Sequence, residues 1–205
     1  VAARSLREEW ALGERPVRNM VHLLEAKGIR VFSLAENTRT VDAFSVWRGE
    51  RPYVFLNMMK SPEHSRFDAA HELGHLVLHK HGGPRGRRAE DDANQFASAF
   101  LMPEEDVRAQ IPRVHALNQI IVAKKRWLVS VMALTYRLHA LQILSDWQYR
   151  MFCIQATDAG YRTSEPFGIA REQSIIWQKV LTTLWSEKIT KKEIADRLHV
   201  PQKEI

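Results

Sequence analysis

Cysteine is almost missing from this chain. Cys153 stands alone among 205 residues, so no internal disulfide can form and zinc ribbons built on thiolates are excluded. Any metal held here must be bound by imidazole and carboxylate. A membrane-spanning run is also missing, because no apolar stretch approaches the roughly 18 to 20 residues that a bilayer needs. The opening segment, VAARSLREEW, carries charge where a signal peptide would be apolar. With the lone thiol, these absences predict a cytoplasmic protein with no membrane partner. Internal repeats and low-complexity tracts are absent too, which excludes solenoids and long disordered tails.

What is present suits one compact domain and a small appended one, since 45% of the residues are hydrophobic. The net charge of +6 would suit an acidic partner such as nucleic acid. The basic groups around Arg85, Arg87 and Arg88, Lys124 to Arg126, and Lys188 to Lys192 are too short to form a tail, and a solvated basic surface is the better reading. The chain begins at Val1 rather than methionine, so an upstream segment is expected.

Helices are predicted over 2–12 and 16–27, with Pro16 at a first helical position and Gly13 and Gly28 at the ends. GIRVFSL (28–34), VDAFSVW (41–47) and RPYVFLN (51–57) read as strands, the last two joined as a hairpin. The expected fold class is therefore α+β, with a small, mostly antiparallel three-stranded sheet packed on a helix. That helix starts at Ser61 and Pro62 and runs to Lys80. A further helix runs from about Arg88 to Met102, and the rest of the chain is predicted to be all helical, with Ser130 and Ser145 as N-caps. In the stretch 170–187, Ile175, Ile176, Val180, Leu181 and Leu184 have helical spacing and are expected in the core. The tryptophans, among them Trp127, Trp147, Trp177 and Trp185, are expected in the core or an interface. The expected division is 1–145 for the sheet domain with its helical lead-in and 146–205 for the helical region. The GYRTSEPFG segment (160–168) reads as a connector.

The chemistry lies in HELGH, residues 71–75. Four residues apart on a helix, His71 and His75 leave the same face and can share one ion, with Glu72 beside them to move a proton. A catalytic zinc wants three protein ligands and an open position. His79 continues the spacing but stands about 12 Å along the helix from His71, too far to share the ion. Glu90 lies on the returning helix, where a His, His, Glu site places its third ligand, and is the residue favoured here. His81, in the helix terminator, stays an alternative that spacing does not place. Asn94, one turn beyond Glu90, can orient a ligating histidine. Asp91 and Asp92 point to other faces. Gly74, costly by about 1 kcal/mol inside a helix, predicts close approach of another element. Candidate donors to a developing oxyanion are Tyr136, His115 and Arg66, unranked.

RFDAAHELGHLVLH (66–79) followed by EDDANQFASAFLMP (90–103) resembles the ImmA/IrrE family of zinc metallo-endopeptidases, over about residues 15–145. The resemblance implies a zincin-like helix, one zinc ion on His71, His75 and Glu90, and Glu72 as the catalytic base. It also implies a regulatory endopeptidase cutting a helix-turn-helix repressor, so derepressing stress, prophage or mobile-element genes. Family members often carry an N-terminal DNA-binding domain of the XRE type, which would make DNA contact. A different class of function is a non-catalytic, zinc-stabilised transcriptional regulator that binds a repressor or DNA, for which Glu72 would be dispensable. The tail ITKKEIADRLHVPQKEI (189–205) has a helix-turn-helix cadence but stops before a recognition helix is complete. A packing or homodimer element is the better reading of it.

Overall fold

The computed structural model describes residues 1–34, 43–80, 86–199 and 202. The lead-in is α1 (Ala2–Glu9) and α2 (Met20–Ala26). Both helices are shorter than the sequence suggests. Ala11 and Gly13 adopt positive φ, and the carbonyls of Gly13, Arg15 and Val17 accept hydrogen bonds from the buried guanidinium groups of Arg7 and Arg66. Turned toward those guanidinium groups, the carbonyls hold this stretch in a non-helical path. Asn19, not Pro16, starts α2, its Oδ1 accepting from the amide of His22 at 2.8 Å.

Strands β1 (Arg30–Leu34), β2 (Ala43–Arg48) and β3 (Arg51–Asn57) form one sheet in the order β1-β3-β2. The expected hairpin joins β2 to β3, turning at Gly49 with φ 60°. The expectation of a mostly antiparallel sheet is corrected, because β1 runs parallel to β3 and the sheet is mixed. β3 carries the buried Val54, Leu56 and Asn57 and takes the central place. β1 joins it on the far side from β2. Alternation along a strand reports which face is buried and not which way a neighbour runs, so the direction of β1 was not written in the pattern.

The helix carrying HELGH is α3 (Pro62–Leu78), capped by Ser61, and it packs on β2, β3 and the following α4 (Arg87–Leu101). Gly74 is where α3 and α4 come closest. A Cβ built there would lie 3.1 Å from Phe96 Cδ1 and 3.2 Å from Ala93 Cα. Then follow α5 (Glu104–Gln110), α6 (Leu117–Trp127), α7 (Val131–Ala140) and α8 (Asp146–Asp158), with Ser130 and Ser145 capping α7 and α8 as expected. One apolar core joins α1 to α8 through residues such as Leu24, Leu73, Phe100, Leu134 and Phe152.

The chain from 165 to 175 lies across this body and is held by charge. Glu165 meets the buried Lys124 at 3.2 Å, and Lys124 also lies 3.5 Å from Glu63. Glu172 pairs with the buried Arg66 and accepts from the first two amides of α2, at 2.7 and 3.0 Å.

Helices α9 (Ile175–Ser186) and α10 (Lys191–Leu198) complete the described elements. The core assignment of Ile175, Ile176, Val180, Leu181 and Leu184 is overturned, since no residue of α9 is buried and Ile176 stays 46% exposed. Helical spacing shows that an apolar face exists without showing that anything covers it. α9 touches the sheet through Trp177, whose ring lies 5.2 Å from Phe32 and whose Nε1 donates to Val31 O. Of the tryptophans singled out, Trp127 is fully buried, while Trp147, Trp177 and Trp185 are exposed rather than core. His199 closes α10 in a left-handed conformation. Most of the remainder of the helix-turn-helix reading, residues 200, 201 and 203–205, lies outside the described residues. No helix among the described residues is long and apolar enough to cross a membrane.

Candidate metal centre

One face of α3 carries His71 and His75, and α4 is brought against that face by the Gly74 contact. The side chains meet there. His71 Nε2 lies 3.0 Å from His75 Nε2 and 3.1 Å from Glu90 Oε2, and His75 Nε2 lies 3.5 Å from Glu90 Oε1. One ligand atom from each of the three residues falls within 4.8 Å of the others, a group that could hold a metal ion. Tetrahedral zinc, with N and O donors at about 2.0–2.1 Å, has donor-to-donor edges of about 3.3 Å. The separation of the two Nε2 atoms and their contacts with one or other Glu90 oxygen lie near that length.

Proton bookkeeping points the same way. His71 Nδ1 sits 2.9 Å from Asn94 Oδ1, which can only accept, so Nδ1 carries a hydrogen and Nε2 is the atom turned toward Glu90 and His75. His75 Nδ1 sits 2.9 Å from His79 Nδ1, leaving Nε2 of His75 facing the same point. Burial, and then His71 alongside, hold the His75 imidazole below its ordinary pKa, which favours the neutral, ligating form. Ligation needs both Nε2 atoms free of protons, and a cation between them would then relieve the repulsion of three facing acceptors. The donor set therefore fits a divalent metal.

Glu72 faces the same space from the other side of His71. It is only 5% exposed, and burial above all pushes its carboxyl up from the ordinary value, against the opposing pull of the Ser45 hydroxyl and His71. Ser45 Oγ donates to Glu72 Oε2 at 2.6 Å. Alternation along β2 turns Ala43, Ser45 and Trp47 toward α3 and leaves Phe44 and Val46 exposed. A cavity of about 750 Å³ lies over the group, lined by β2, the exposed face of α3, Glu90 and Asn94.

Of the residues singled out from the sequence, His71, Glu72, His75, Glu90 and Asn94 are brought together at this cavity. His79 borders it and contacts His75, yet stands outside the group of three. His81 lies outside the described residues. Neither Asp91 nor Asp92 lines the cavity. Among the three oxyanion candidates, Arg66 is buried against Val17 O and Glu172, and neither His115 nor Tyr136 borders the cavity. Ser45, His64 and Asp68, which do border it, were missed. His64 and Asp68 had a signal, because they continue the His71 face of α3 about two turns and one turn back. Ser45 had none, since its contact with Glu72 needs the placement of β2 on α3.

An HExxH helix backed by a small sheet, with a carboxylate supplied by the next helix, is an arrangement compatible with a metallopeptidase, and the family match gives the class as the ImmA/IrrE type. Residues 24–139 match the family model of peptidase family M78, the IrrE N-terminal-like domain, and the chain belongs to that family. A search of curated proteins finds no match.

Proposed function

We propose that the chain is a zinc-dependent endopeptidase of regulatory type, acting in the cytoplasm on a helix-turn-helix transcriptional repressor and so derepressing stress, prophage or mobile-element genes. The observation that carries the catalytic part is the convergence of His71, His75 and Glu90 with a buried carboxylate, Glu72, in the same cavity. In this reading those three residues hold one zinc ion, which when bound supplies a Lewis acid for the scissile carbonyl and for water.

The chain's own groups do the rest. Asn94 and His79 each engage a ring Nδ1 and so present Nε2 of His71 and His75. Ser45 engages Glu72 Oε2, which leaves Oε1 to take the proton of the attacking water and later deliver it to the departing amine. The raised affinity of a buried carboxyl for protons suits both halves of that transfer. β2 pairs only with β3 among the described residues, and its outer edge borders the cavity. An extended substrate segment can add to that edge by main-chain hydrogen bonds. The repressor as partner is supported by the family relationship alone, and DNA contact would fall to an upstream domain.

A mixture of the chain with the helix-turn-helix protein encoded beside it, compared with Glu72→Gln, tests the reading. The expected outcome is cleavage by the zinc-loaded chain and a loss of about 10²–10⁴-fold in the variant with zinc still bound. Equal activity in both, or no cleavage by either, would leave the zinc-stabilised regulator as the better account.

A further inference from the structure

The cavity at the metal ligands continues past Asn94. A second cavity of about 780 Å³ adjoins it, and His64, Phe67 and Asn94 line both. The two are halves of one groove that follows α3 toward its N-terminus. Part of the wall of the second half comes from beyond the family-matched segment, which ends at residue 139. Tyr149 is supplied by α8, and Tyr161 and Arg162 by the turn after it.

Asp91, Arg162 and Glu165 bring charge to its wall, and two of them have partners within the chain. Glu165 is held by Lys124 at 3.2 Å and by the amide of Val131 at 3.1 Å. Arg162 Nε donates to Thr157 Oγ1 at 3.0 Å. The groove is then offered chiefly the rings of Tyr136, Tyr149, Tyr161 and Phe67 and the side chain of Met132. Rings of this kind give large contact area at low entropy cost and retain a polar tip.

We infer that this second cavity is a specificity subsite of the peptidase, receiving a bulky aromatic or aliphatic side chain of the substrate polypeptide. The inference rests on the peptidase reading above. Its distance from the scissile bond follows from the helix. His64 and His71 are seven residues apart on α3, about 10 Å along its axis, and an extended chain covers that in about three residues at roughly 3.3 Å each. The selected side chain therefore lies about three residues from the bond that is cut. Because α8 and the 161–162 turn supply part of its wall, the preference depends in part on residues beyond the family-matched segment.

The test is a positional-scanning peptide library digested by the zinc-loaded protein and read by mass spectrometry. The wild type is expected to cut peptides with Phe, Tyr, Leu or Met at one position two to four residues from the scissile bond at least about ten-fold faster than those with Gly there. In Ala133→Trp, which fills the cavity, that ratio falls to about one. In Tyr161→Ala, which removes a wall without crowding α7, it falls several-fold, so the test survives if the tryptophan variant does not fold. Cleavage with no preference at those positions, or a preference retained in both variants, overturns the subsite and leaves the peptidase standing. Absence of any cleavage by the wild type overturns both.

Discussion

Replacing Gly74 with alanine adds one methyl group at the closest contact between α3 and α4. That methyl would stand 3.1 Å from Phe96 Cδ1, 3.2 Å from Ala93 Cα and 3.3 Å from Ala93 O. Ordinary carbon contacts begin near 3.5 Å, so α4 must retreat by a few tenths of an ångström. The Phe96 ring can turn, but the Ala93 backbone cannot yield without taking its neighbours along. Those neighbours are Glu90, one turn before, and Asn94, the next residue. Overpacking of this kind costs about 1–3 kcal/mol, and alanine recovers about 1 kcal/mol over glycine in a helix interior. The metal-free protein should therefore lose only about 0–2 kcal/mol.

The metal site should suffer more than the fold. The 3.1 and 3.5 Å contacts of its two histidines with Glu90 are set by the approach of the two helices, and withdrawal of α4 moves Glu90 and the Asn94 hydrogen bond together. Zinc affinity is expected to weaken by at least about ten-fold, or about 1.4 kcal/mol. Competition titration against a chromogenic chelator measures the affinity, and thermal melting in chelator measures the fold. Wild-type zinc affinity, within about two-fold, in a variant that melts lower would refute the argument that this contact sets the ligand geometry. A variant that melts higher would refute the tight contact itself.

Asn94→Ala should weaken zinc binding by about 10–100-fold with little change in melting, because the side chain is exposed apart from its bond to His71. Asn94→Asp, which keeps an acceptor, should restore most of the affinity. Ser45→Ala should lower kcat by about ten-fold with KM and zinc content unchanged, since it frees a carboxylate that must be aimed, and a fall in zinc content instead would move Ser45 into a structural role. Glu172→Ala leaves the buried Arg66 guanidinium without its counter-charge and two amides of α2 without their acceptor. Unfolding in urea should show a loss of about 3–5 kcal/mol, and a loss below 1 kcal/mol would show that Arg66 finds water instead.

The centre was legible in the sequence because its decisive relations are local. His71, Glu72 and His75 share one helical turn, and Glu90 with Asn94 share the face of a helix whose return was signalled by the Gly and Pro between them. Even the contact of α3 with α4 was legible, through a glycine whose cost needed a reason. Relations across strands were not. Neither the parallel pairing of β1 with β3 nor the approach of Ser45 to Glu72, which depends on where β2 is placed on α3, leaves a periodic trace. The apolar face of α9 was read correctly as a face and wrongly as core, because spacing is silent about what lies opposite.

The 160–168 connector and the residues just after it carry the least visible relation. Gly, Pro and Ser content makes this stretch read as a linker, yet Glu165 and Glu172 supply counter-charges to Lys124 and Arg66, each only 1% exposed. Lysine and arginine are seldom buried without a partner, but nothing in their own neighbourhoods announced that these two were buried. A chain cut before this segment would keep every metal ligand and still leave one buried cation with no carboxylate and the other with Glu63 alone. The same segment supplies Tyr161 and Arg162 to the groove. Stability of the family-matched body and selection of its substrate would therefore depend on one stretch of chain, and variation there would alter both at once.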